Sequence, residues 1–303
     1  EIADFGTGAV EIKSGYGLDT PAELRMLRVI HAASQLVPNP VIGTFLGAHA
    51  KDPDNRDFVA ETIAETLPAV ASEFPGITVD AYCEEGAWSL EECRRYFEAA
   101  RELGCPIRVH ADQFNPLGMT SLAVELGAVS VDHLEASTPE ELQLLAESST
   151  FGVMLPICGL HLDDRFANGR AFLDAGGALA IATNYNPGSA PSPSMPLAIA
   201  IACRRLGLLP AEAITAATWN AACVLGVQDV VGSLAPGKRA DLQMLDTEDE
   251  REIAHELGGP GPLLVILGGR IAASRGIVSG GEDFEPEEDF DFDPDEDGAD
   301  EDR

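Results

Sequence analysis

Against 51 Asp and Glu, a chain of 303 residues sets only 19 Lys and Arg, for a formal charge of −32. Such a field repels phosphate backbones and anionic lipid surfaces, which removes nucleic acid and membrane from the expected partners. No stretch approaches the roughly 18 consecutive apolar residues of a membrane span. The length suffices for one large α/β domain or for a domain with a small appendage. Six scattered cysteines without a C-x-x-C pair suit a reducing cytoplasm better than a disulfide framework or a zinc knuckle. Lysine is nearly absent (Lys13, Lys51, Lys238), a balance expected of proteins from salt-loving organisms, whose concentrated cations screen the self-repulsion. Residues 281–303 hold 14 of the acids and one base, and are expected to form a disordered acidic tail.

The chain opens at Glu1 without a Met, close to a strand-like Ala9–Ile12, and is expected to be a piece whose beginning lies upstream. Strand then runs into a glycine-flanked loop, Gly15-Tyr16-Gly17, where tight turning holds an aromatic ring over a cavity or simply packs it. Thr20-Pro21-Ala22-Glu23 starts a helix reaching to about Leu36. A second strand ends at His49, and a helix from about Asp57 to Ala71 follows, with Pro68 an objection near its end. Ile77–Glu84 reads as strand, and Ser89-Leu90-Glu91-Glu92 is a capping box for a helix that stops at Gly104. Ile107–Gln113 is the next strand, then a helix from about Thr120 to Leu126, a strand at Val129–Glu135 and a helix capped by Thr138. Phe151–Pro156 is a buried strand followed by a long charged loop, and Ala178–Asn184 is the seventh strand. After a helix from Pro210 to Leu225 the character changes to short strands and turns. Gly232–Lys238 has the spacing of a phosphate-binding loop, but Arg239 stands where a hydroxyl should ligate magnesium and strand follows instead of helix, so that reading is rejected.

Seven strand–helix alternations with short connections argue for a parallel sheet. Polar groups at the ends of several strands favour a barrel over an open sheet: His49, His110 with Asp112 and Gln113, Asp132 with His133, and Asn184. A lone buried histidine is more often satisfied by a backbone carbonyl than by a metal, but four such strand ends converging favour a site. The expected organisation is a (β/α)8-type barrel lacking its first strand over residues 1–225, a small β domain segment over 226–280, and the acidic tail.

Five stretches in order, Glu11–Gly17 (EIKSGYG), Thr44–Ala50 (TFLGAHA), His110–Gln113 (HADQ), Asp132–Glu135 (DHLE) and Asn186–Ser189 (NPGS), resemble the imidazolonepropionase family of amidohydrolases. The resemblance runs from Glu1 to about Gly269 and includes a Gly232–Leu242 return into the small β domain. It implies an amidohydrolase barrel with one zinc or iron ion. The implied reaction is hydrolysis of the cyclic amide 4-imidazolone-5-propanoate to N-formimidoyl-L-glutamate in histidine degradation. It further implies that His110 is a metal ligand, that Tyr16, His49, Gln113, Asn186, Gly188 and Ser189 contact substrate, and that His49, Gln113 and His133 are catalytic. Asn184, a further metal ligand and catalytic position, stands where the family has an aspartate that serves as presumed general base. An amide oxygen ligates weakly and takes no proton from water at neutral pH. The family's His-x-His pair and carboxylate-binding arginine have no counterpart in the chain. These departures leave open a catalytically impaired homologue acting as a ligand-binding or interaction protein. A different cyclic amidohydrolase or deaminase is disfavoured by the tyrosine loop and Asn186–Ser189. The expected setting is cytoplasmic, with a small-molecule substrate, and assembly open between a single chain and a homodimer.

Overall fold

The computed structural model describes residues 1–275; the expected acidic tail lies outside the described residues. Seven strands, β1 (Val10–Lys13), β2 (Val41–Ala48), β3 (Thr78–Cys83), β4 (Ile107–Ala111), β5 (Ser130–His133), β6 (Phe151–Met154) and β7 (Leu179–Ile181), form one parallel sheet in chain order. The expected barrel-type α/β fold is thus present as a curled sheet with β1 and β7 at its edges. A second sheet of β8 (Leu242–Met244), β9 (Leu264–Leu267) and β10 (Arg270–Ser274) is antiparallel. Gly268 and Gly269, both at positive φ, make the two-residue turn of its hairpin.

Helices α1 (Thr20–Ser34), α2 (Phe58–Glu61), α3 (Leu67–Glu73), α4 (Leu90–Glu102), α5 (Met119–Glu125), α6 (Pro139–Ala146), α7 (Pro156–His161), α8 (Gly169–Asp174), α9 (Met195–Ile201), α10 (Pro210–Thr215) and α11 (Ala221–Leu225) fill the connections. The starts follow the chain's capping chemistry. Ser89 and Thr138 each accept the third backbone N–H of their helix while Glu92 and Glu141 reach back to the cap. Such a cap contributes roughly 1 kcal/mol.

Two expectations are corrected. The helix expected across Asp57–Ala71 is α2, a π-helical turn (Thr62–Thr66) and α3 in succession. Pro68 sits just after that wide turn, which accommodates a residue with no N–H and a ring that crowds the carbonyl four back. The charged loop expected after Pro156 instead holds α7 and α8, with Pro156 at a helix start and Asn168 capping Ala171. Asp163 and Asp164, both at positive φ, form the turn between. Helix α9 carries no helical signature in the sequence, because Pro196 and Ala198 to Ile201 are buried on all sides and show no helical period.

Successive side chains of a strand point to opposite faces. Val79, Ala81, Ile107, Val109 and Val131 join the main apolar core beneath the helices. The alternate residues, Glu11 and Lys13, Asp80 and Tyr82, Arg108 and His110, Ser130 and Asp132, lie on the concave side in register across β3, β4 and β5. Gly232–Lys238 is a loop stapled by Lys238, whose Nζ donates to the carbonyls of Gln228 and Val231 and to Ser233 Oγ, and no phosphate cradle is formed.

Candidate functional site

The floor of the concave face is an ion network. Lys13 Nζ lies 2.6 Å from Asp80 Oδ2, 3.1 Å from Glu11 and 3.5 Å from Asp132, and Arg108 Nη1 lies 2.9 Å from Glu11. Burial alone would neutralise Lys13, but Asp80, Glu11 and Asp132 together hold its pKa above the lysine range. Burial likewise works against ionised Asp80, yet His110 and then Lys13 keep it well below the usual carboxylate range. Asp80, His110 and Asp132 cluster closely enough to share an ion. The Lys13 ammonium already meets both acids of that cluster, so their negative charge is compensated.

Above the floor stands a succession of rings. Centroid separations are 5.1 Å for Tyr16–His49, 5.9 Å for His49–Tyr82, 6.5 Å for Tyr82–His110 and 5.4 Å for His110–His133. Tyr16 is exposed at 65 % and is presented by its loop. The buried Glu23 carboxylate accepts the N–H of Gly15 at 2.9 Å and of Gly17 at 2.5 Å. Gly15 has φ 108°, and a Cβ there would strike the Leu46 carbonyl, while one on Gly17 would strike the Glu23 backbone nitrogen. That is why both positions are glycine.

His110 Nδ1 is 3.2 Å from the Asp80 carboxylate. Burial and then His110 lower the pKa of His49, so its imidazole is neutral at pH 7, and its buried Nδ1 lacks a partner among the described residues. Gln113 is oriented at both ends: Tyr82 donates to its Oε1 at 2.9 Å, and its Nε2 lies 3.5 Å from Cys158 Sγ. Glu84 fixes the segment after it by accepting Phe114 N–H, Asn115 N–H and the Asn115 side-chain amide. Asp112, at φ 55°, is a tie between loops and not a reacting group: Thr120 and Ser137 hydroxyls donate to it at 2.7 Å, and its carbonyl accepts Ala136 N–H. His133 and Leu134 both have positive φ, a strain common where a side chain must be aimed. Burial would lower the His133 pKa, but Glu135, and then Cys158, raise it to about 10.

Tyr16, His49, His110, Gln113 and His133 are thus brought together. Asn184, Asn186, Gly188 and Ser189 are bonded among themselves after β7. Asn186 Oδ1 accepts Gly188 N–H and Ser189 N–H, and its Nδ2 donates to the Asn184 carbonyl and Ser189 Oγ. Both ends of its amide are therefore used in shaping the loop. The Asn184 side chain reaches Ser189 at 3.5 Å, and among the described residues no hydrogen bond joins it to His110. Reading strand ends missed Lys13, Asp80, Tyr82, Glu23, Glu84 and Cys158. A period-2 scan for charge inside otherwise apolar strands finds Lys13 and Asp80.

The pattern of the amidohydrolase family matches residues 7–272. The chain is 47 % identical over 283 residues to the imidazolonepropionase of Herpetosiphon aurantiacus, spanning 89 % of this chain and 66 % of that one. Identity is 46 % to the imidazolonepropionase of Rubrobacter xylanophilus, spanning 88 % of this chain and 64 % of that one. The chain therefore spans just under two thirds of these curated relatives. Two solved structures share the fold: an adenosine deaminase from Xanthomonas campestris with bound zinc (TM-score 0.69, 19 % identity, 90 % of this chain and 67 % of that one), and a triazine hydrolase variant (TM-score 0.71, 15 % identity, 89 % and 68 %). A family pattern spanning nearly the whole of the described residues, on a parallel barrel sheet with its polar groups at the strand ends, means that the chain belongs to the amidohydrolase family.

Proposed function

We propose that this chain is an imidazolonepropionase-type hydrolase that opens the ring of 4-imidazolone-5-propanoate to N-formimidoyl-L-glutamate, a step of histidine degradation. The observation that carries the reading is the Tyr16–His49–Tyr82–His110–His133 succession with Gln113 beside it, aromatic and hydrogen-bonding groups gathered at the strand ends where a small planar ring could meet both. The likeness to relatives bearing that name supports it.

In this reading water oxygen bonds to the ring carbonyl carbon, the bond from that carbon to the ring nitrogen breaks, and the nitrogen takes a proton. The His110 ring fits a metal: Nδ1 on Asp80 leaves Nε2 free to ligate, the usual carboxylate–histidine support. His110 and the Asn184 amide oxygen would hold one zinc or iron ion, which supplies Lewis-acid polarisation and an acidified water. The chain's own residues do the rest. His133, kept protonated beside Glu135, donates to the carbonyl oxygen as negative charge builds there. Neutral His49 and the Gln113 amide, turned by Tyr82, bond the ring edge, and Tyr16 covers its face. Asn184 gives the water no base, which makes this chain slow relative to an aspartate-bearing one.

The small β unit over 226–280 and a cytoplasmic setting belong to the same proposal. No helix among the described residues is long and apolar enough to cross a membrane. Calorimetric binding of imidazole-4-propanoate, an unreactive analogue, tests the recess. Tyr16→Ala and Gln113→Ala each weaken it about tenfold, the worth of one good contact. Absence of binding, or binding indifferent to both changes, contradicts the reading.

A further inference from the structure

His133 at the end of β5, Glu135 two residues on, and Cys158 in α7 meet beneath the rim. One donor atom from each lies within 4.8 Å of the others. The His133 and Glu135 side chains are only 3 % and 5 % exposed, and Cys158 is buried. His133 Nδ1 sits 3.2 Å from both Glu135 oxygens, but one N–H serves one acceptor at a time. Glu135 Oε2 is accordingly left buried without a hydrogen-bond partner among the described residues. The ring beside it offers one N–H to two carboxylate oxygens and leaves one without a hydrogen bond, whereas a divalent cation can satisfy the group outright.

The three donors are the thiolate, imidazole and carboxylate that zinc takes, at bond lengths of about 2.0–2.3 Å. Tetrahedral bonds of that length set donor atoms about 3.3–3.8 Å apart, so the group closes on an ion by moving an ångström or so. Gln113 and Arg165 line a narrow cleft that reaches Glu135 and Cys158 and leaves one side open for a fourth ligand such as water. Gln113 Nε2, 3.5 Å from Cys158 Sγ, is a donor placed to support a thiolate.

We propose that His133, Glu135 and Cys158 form a site for one soft divalent cation of the zinc class, with Cys158 as its thiolate ligand and His110 not among the donors. Binding displaces the thiol proton and the imidazolium proton to solvent, so the loaded site and the protonated His133 of the ring-opening reading are mutually exclusive states. Two negative ligands and a neutral imidazole then balance the charge of the ion.

Cobalt(II) titration of the reduced full chain reads the site directly, because a thiolate–cobalt bond gives a near-ultraviolet charge-transfer band. The band appears and saturates at one equivalent. Cys158→Ser removes it and weakens binding at least as much as the 10–100-fold that loss of an outer-sphere partner costs. Cys203→Ser, Cys223→Ser and His110→Ala leave the band in place, and Glu135→Gln keeps the band while weakening affinity. A wild-type chain without the band, or a band that survives Cys158→Ser, overturns the proposal. Should Cys158→Ser not fold, zinc X-ray absorption on the unaltered chain decides: one sulfur among otherwise nitrogen and oxygen ligands supports the site, and none or two or more sulfurs overturns it.

Discussion

Asp80 and His110 face each other from adjacent strands, the carboxylate 3.2 Å from imidazole Nδ1, and the same carboxylate takes the Lys13 ammonium at 2.6 Å. One fully buried acid thus anchors the floor of the recess and sets the tautomer of its central histidine. Asp80→Asn leaves the Lys13 ammonium inside the sheet with weaker compensation. Removing one partner of a buried ion pair costs about 3–5 kcal/mol. Urea denaturation should show a loss of that size with an unchanged slope; a loss under about 1 kcal/mol would mean that Glu11 and Asp132 suffice for Lys13.

Glu23 spends both oxygens on the backbone of the Tyr16 loop. Glu23→Gln replaces one acceptor by a donor facing an N–H, which loosens the loop without altering any group at the reacting ring. Steady-state kinetics should show KM raised several-fold with kcat little changed, the pattern of lost uniform binding. A fall in kcat at constant KM would assign Tyr16 a part in the chemical step.

His133 has its pKa raised from 6.5 to about 10 in the folded chain, so the folded state holds a proton that the unfolded state releases near neutrality. The sign follows from linkage: the stability that this proton supplies is fully present below pH 6.5 and is lost as pH rises through about 10. Unfolding free energy measured from pH 6 to 10 should fall over that window, and His133→Gln should flatten the fall.

All three lysines are engaged: Lys13 in the floor, Lys51 with Glu92, and Lys238 with backbone carbonyls. With 51 acids against 19 bases, the chain carries a large excess of negative charge that its arginines offset only in part. Melting temperature should rise steeply from roughly 0.01 M toward molar KCl as the Debye length shrinks from about 30 Å to about 3 Å. A melting temperature indifferent to salt would remove self-repulsion as a factor in stability.

The barrel sheet is legible because its signals are local. Capping boxes at Ser89 and Thr138 mark helix starts, and apolar runs ending in His49, His110 and His133 mark strand ends. The floor was harder to read, since Asp80 and Lys13 lie inside strands, not at their ends, and only their alternation with apolar neighbours betrays them. Cys158 carries no local pattern at all; its place beside His133 arises from the packing of α7 over the end of the sheet. Asn186–Ser189 is expected from the sequence to contact substrate, but the Asn186 amide is engaged by Gly188, Ser189 and the Asn184 carbonyl, which spacing alone does not reveal.

Ring opening by this recess is tested most directly by product formation from 4-imidazolone-5-propanoate, followed by mass, for the Asn184 chain and its Asn184→Asp variant side by side under saturating zinc or iron(II). Both chains should yield N-formimidoyl-L-glutamate, the aspartate form faster by about 10²–10⁴, the worth of a general base, with a smaller change in KM. No product from either chain would contradict the ring-opening assignment, and equal rates would show that a group other than residue 184 is the base.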